Sequence, residues 1–185
     1  QRESEGSNVY STANKDWPIL TTFPQNGVIK MEIVMSAYHW GHLEFFLCNS
    51  EDLSDPDGVP TQGCFNMNPL TRTAGDGVNS PIDPSYPGRY YVDPECREKE
   101  TVQDKPEEAA EGYVMHMTYD LPRGLICKRC ILQMHVGYEE FDPASWPSAC
   151  APEKRDWIDL GLKTCGEDGA YPEEFWNCAD IAITA

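Results

Sequence analysis

Eight cysteines in a chain of 185 residues constrain the fold more than any other feature. At that density, and in even number, they read as a disulfide framework, which belongs to oxidising, extracellular surroundings. The positions are Cys48, Cys64, Cys96, Cys127, Cys130, Cys150, Cys165 and Cys178, and all are expected to pair. About a hundred pairings are possible, and spacing does not choose among them. Cys48 with Cys64 is the easiest local pair, because the two bracket one loop. Zinc is the competing reading for Cys127-Lys128-Arg129-Cys130, but the chain lacks a second C-x-x-C knuckle. A thioredoxin-like pair fits poorly, since the motif lies between two strand-like runs and not at a helix start. The chain is therefore expected to be secreted. With no signal peptide in view, it reads as already processed.

One domain is expected at this length. Fifteen prolines and fourteen glycines favour short strands and turns over long helices. Ile29, Met31, Ile33 and Met35 alternate with Lys30, Glu32, Val34 and Ser36, giving one apolar face at period two. A second run, 43–48, follows His39-Trp40-Gly41, and the two read as neighbouring strands or one broken strand. In 113–119 the residues Tyr113, Met115, Met117 and Tyr119 share a face, and 131–136 and 179–184 are two further strands. Residues 49–94 are rich in turns and pinned by Cys64 and Cys96, 99–112 form a short surface helix or an exposed loop, and 139–171 are irregular. The fold expected is all-β: an immunoglobulin-like or fibronectin-like antiparallel β-sandwich with long, disulfide-pinned loops. Residues 1–27 read as a polar, extended N-terminal arm, and 28–185 as the sandwich domain.

The net charge of −17 disfavours nucleic acid and anionic membrane surfaces as partners. It suits extracellular solubility or a neutral polysaccharide. No apolar run approaches the roughly 20 residues that cross a bilayer. Hydrolase chemistry has no support, because no carboxylate pair or G-x-S-x-G stands in a recognisable motif.

Single residues have ordinary readings. His42 on a strand or turn does not share the direction of His39. His116 lies opposite an apolar strand face, as an unremarkable surface residue does. His135 matters only if the strand at Ile131 lies beside His39. Asp52, Asp55 and Asp57 before Gly58 lack the EF-hand spacing and read as a solvated turn. The tryptophans Trp17, Trp40, Trp146, Trp157 and Trp176 suit core packing or stacking on sugar rings.

Two blocks carry a family resemblance. Ser36-Ala37-Tyr38-His39-Trp40-Gly41, followed by Glu44-Phe45-Phe46-Leu47-Cys48, is similar to the segment around the internal copper histidine of lytic polysaccharide monooxygenases of auxiliary-activity family fifteen, relatives of chitin-binding type-4 domains. Phe175-x-Asn177-Cys178-Ala179-Asp180 resembles their closing motif, with Cys127-x-x-Cys130-Ile131-Leu132-Gln133 in order between them. The resemblance implies His39 as the imidazole ligand of copper, Phe175 at the axial position, Ala37 and Gln133 around the site, and Tyr38 and Trp40 as substrate contacts. Imidazole suits copper, which tops the divalent affinity series. The chain departs from the family at residue 1, which is Gln1 where the family has a ligating histidine, and in Met134-His135-Val136-Gly137-Tyr138.

The expectation is a domain that binds polysaccharide, chitin or similar, non-catalytic as the chain stands and holding no cofactor. Copper, and with it oxidative cleavage, enters if another segment or chain supplies the N-terminal histidine. The alternative from a different class is a structural block that self-assembles in an extracellular polymer.

Overall fold

The computed structural model describes residues 18–35, 41–49, 51, 60–73, 80, 82–92, 100–101, 111–138 and 173–185. The leading ligand position His39 lies outside them, with Ala37, Tyr38 and Trp40, as do Cys96, Cys150 and Cys165. The strands are β1 (Thr21–Pro24), β2 (Val28–Met35), β3 (His42–Asn49), β4 (Thr71–Arg72), β5 (Tyr90–Tyr91), β6 (Glu100–Thr101), β7 (Glu111–Asp120), β8 (Cys127–Tyr138) and β9 (Glu173–Thr184). One short helix, α1, spans Gln62–Asn66. None of the described helices is long and apolar enough to cross a membrane.

The strands form two sheets. The larger runs β1-β9-β8-β3-β5, and the smaller β2-β7-β4 with β6 also on β7. Pairing is antiparallel except between β1 and β9. The alternating residues meet between the sheets. Ile29, Met115, Met117 and Tyr119 from the smaller sheet share one core with Leu43, Phe45, Leu47, Tyr90, Val136, Ile181 and Ile183 from the larger. Phe45 and Tyr119 pack edge to face across it at 5.1 Å between ring centroids. Each fully buried leucine of that core contributes about 1.5–3 kcal/mol. This is the all-β sandwich that the patterning implies.

Three expectations need correction. The strands at 28–35 and 42–49 are neither neighbours nor one strand: β2 pairs with β7 and β3 with β8, in different sheets. Alternation fixes a face but not a partner, so both arrangements have the same pattern. Within the stretch read as helix or loop, Glu100 and Thr101 pair with Gly112 and Glu111. Cys178, expected in a disulfide, carries a free thiol. It packs as a small apolar group against Cys48, Cys64, Phe65 and Ile131, and burial raises its thiol pKa. Cys48 is joined to Cys64, and Cys127 to Cys130 across a bulge in β8.

The turn from β1 to β2 shows how local chemistry enforces the layout. Asn26 sits at φ 58°, a region asparagine tolerates, and the Gly27 amide donates to the Pro24 carbonyl at 3.1 Å. A Cβ on Gly27 would come within 2.8 Å of that carbonyl oxygen, so the turn requires glycine.

Candidate functional site

The outer face of the larger sheet is set by strand register. Reading across β3, β8 and β9, its rows are Cys48–Ile131–Asp180, Phe46–Gln133–Cys178, Glu44–His135–Trp176 and His42–Gly137–Glu174. The first two rows are covered. Thr61 caps α1, its hydroxyl accepting from the Cys64 amide at 3.3 Å, and the Cys48–Cys64 bond ties the helix to β3. Phe65, Ile131 and Phe46 fill the space beneath. Gln133 lies here, accepting from the Gln62 amide at 3.4 Å. By strand alternation it faces away from the side to which Phe175 belongs.

The last two rows form a polar cluster. His42 and Glu44 lie two residues apart on β3 and so share a face, with Nε2 of His42 3.2 Å from Oε2 of Glu44. His135 stands directly opposite Glu44 on β8, its Nδ1 3.8 Å from the same oxygen. That is longer than a hydrogen bond, so the contact is electrostatic. The other carboxylate oxygen, Oε1 of Glu44, accepts from Nε of Arg89 at 3.1 Å. The second ring nitrogen of His135, Nε2, lies 3.0 Å from Oε1 of Glu174 on β9. Burial by itself raises the Glu44 pKa, but the His135 and His42 imidazoles and the Arg89 charge outweigh it and hold the carboxyl far below its usual range.

A buried strut steadies the Arg89 side of this cluster. Arg72 on β4 donates to the Ser80 hydroxyl at 3.2 Å, to the Ser80 carbonyl at 2.7 Å and to the Arg89 carbonyl at 3.0 Å. Tyr86 stacks under the Arg89 guanidinium at 3.9 Å. Tyr91, opposite His42, donates its hydroxyl to Asp83 at 2.9 Å, and burial with that carboxylate raises its pKa.

Aromatic groups open the same end of the sheet to solvent. Trp176 is 51% exposed and stacks on the His135 ring at 5.2 Å and 19°. Phe175, the neighbouring residue at the start of β9, is 50% exposed. His42, Gly137 and Glu174 lie in one row, so the chain enters β3 and β9 at the same sheet end. Of the other histidines, His116 is exposed beside Glu32 at 3.6 Å, as its strand position implies. Sequence reasoning missed the His42–Glu44–His135 group. Its i, i+2 half was readable as a shared face, but His135 joins only through the register of β8.

Within this group one ligand atom from each of His42, Glu44 and His135 lies within 4.8 Å of the others, so these are described residues able to hold a metal ion together. Comparison with known proteins gives a consistent family. The family model described as lytic polysaccharide mono-oxygenase, cellulose-degrading, matches residues 1–181. Among solved structures, a lytic polysaccharide monooxygenase AA15 from Thermobia domestica in the Cu(I) state is similar at a TM-score of 0.52 and 24% identity. The match covers 90% of this chain and 63% of that one. At this identity the likeness concerns the fold. A search of curated proteins finds no match.

Proposed function

Because this chain belongs to the lytic polysaccharide mono-oxygenase family, we propose that it is a secreted domain that binds a polysaccharide, chitin or cellulose, at the open end of its larger sheet. The observation that carries this reading is Trp176. One face of its indole is held against His135, and half of the side chain remains in solvent. A ring already fixed by stacking loses little freedom when a pyranose packs on it. Trp40 and Tyr38 are proposed as further sugar contacts. Extracellular placement is supported by the two disulfides among the described residues.

Copper belongs to this proposal: by the family resemblance His39 would hold it together with a second histidine from an N-terminal position, with Phe175 and Ala37 as its non-ligating neighbours. The half-exposed ring of Phe175, at the sheet end where β3 begins, suits a group that limits access without ligating. When bound, copper would activate an oxygen co-substrate, dioxygen with a reductant or peroxide, for oxidative cleavage of a glycosidic chain. This chain's own residues bind and orient the polymer. Self-assembly as a structural block is the competing proposal, and concentration-dependent oligomers without sugar would favour it.

The test is co-sedimentation of the chain with insoluble chitin and cellulose. Retention by at least one polymer is expected, with Trp176→Ala weakening it about tenfold, as loss of one stacked aromatic contact implies. Failure of the unaltered chain to bind either polymer, or binding by Trp176→Ala and Trp40→Ala as strong as that of the unaltered chain, would overturn the reading.

A further inference from the structure

The geometry points to a divalent transition-metal site made by His42, Glu44 and His135. Three donors converge from two paired strands. Bond lengths of roughly 2.0–2.2 Å in a tetrahedral site put neighbouring ligand atoms about 3.3 Å apart. The Glu44 oxygen lies 3.2 Å from Nε2 of His42 and 3.8 Å from Nδ1 of His135, so small side-chain adjustments close the site. Two imidazoles and one carboxylate suit zinc or copper, whereas calcium and magnesium take oxygen ligands. Three protein ligands leave a fourth position for water.

The surroundings are those of a supported metal site. Glu174 lies 3.0 Å from Nε2 of His135 and orients the ring with Nδ1 facing Glu44, where a bound cation would take the place of a proton between them. Arg89 holds the other Glu44 oxygen, so Oε2 remains directed at the two imidazoles. The donors stand on neighbouring, hydrogen-bonded strands, which fix their spacing better than loops would. Glu44 is 21% exposed in its side chain, giving an ion a route in, while the His42 side chain is fully buried. A chain with net charge −17 also draws cations toward it. This inference does not depend on polysaccharide binding.

The test is titration calorimetry of the chelator-treated chain with Zn²⁺. One equivalent is expected, with affinity falling at least about a hundredfold in Glu44→Gln and in His135→Asn, and about 10- to 100-fold in Glu174→Gln. His116→Ala, at an exposed histidine outside the cluster, should leave zinc binding unchanged. No zinc binding by the unaltered chain, unaltered binding by both Glu44→Gln and His135→Asn, or its loss in His116→Ala overturns the inference. Near-UV circular dichroism checks that the variants are folded. If they are not, X-ray absorption of the zinc-loaded unaltered chain decides: two imidazoles with oxygen donors support the site, and sulfur ligation overturns it.

Discussion

The two ends of one sheet face have opposite chemistry. At the Cys48 end, a disulfide, a capped helical turn and a cluster of Phe46, Phe65, Ile131 and Cys178 seal the sheet. At the His42 end, the same three strands present imidazoles, carboxylates and a half-exposed indole. The strands are continuous through both ends, so the backbone frame is shared. What differs is which side chains occupy alternate positions and whether another element covers them. Stability is invested in the sealed end, and its rigidity positions the groups at the open one. Function is expected where polar groups are held in place but not covered.

Substitutions at the two ends should therefore separate folding from binding. Phe65→Ala should have the largest effect on stability, about 3–5 kcal/mol, because it empties a buried aromatic site. Replacing Cys48 and Cys64 together by serine should lower stability by about 3 kcal/mol, since the bond closes a 16-residue separation. Urea denaturation measures both, and an effect below that of Glu44→Gln would break the contrast. Glu44→Gln removes the acceptor shared by Arg89 and the imidazoles and should cost about 1–2 kcal/mol. Thr61→Ala should cost about 1 kcal/mol through loss of the helix cap. His116→Ala is the smallest, within about 0.5 kcal/mol, because its pairing with Glu32 is exposed.

The sealed end was largely legible in the sequence, and the open end was not. Cys48 and Cys64 bracket a short loop, and the expected local pair is the one formed. Alternation from Ile29 and from Met115 marks the faces that meet in the core. Strands of two residues, as in β4 and β5, are too short to show a period. The polar cluster depends on His135 standing opposite Glu44, across 91 positions of sequence numbering and a register fixed only by packing. Cys178 misled for a related reason. An even cysteine count favours complete pairing, but Cys178 sits on a strand face where an apolar thiol packs without a partner sulfur. The family motif places Phe175 at the end of the sheet that carries the polar cluster, while its copper histidine falls outside the described residues.

The most direct measurement compares two exposed side chains, one at each end, for retention on insoluble chitin and cellulose. Met67, at the C-terminus of α1, is 68% exposed, and Trp176 is 51% exposed. Trp176→Ala should lose about tenfold in polymer affinity while Met67→Ala binds like the unaltered chain. Equal loss in both variants, or loss in Met67→Ala alone, would contradict the assignment of binding to the open end.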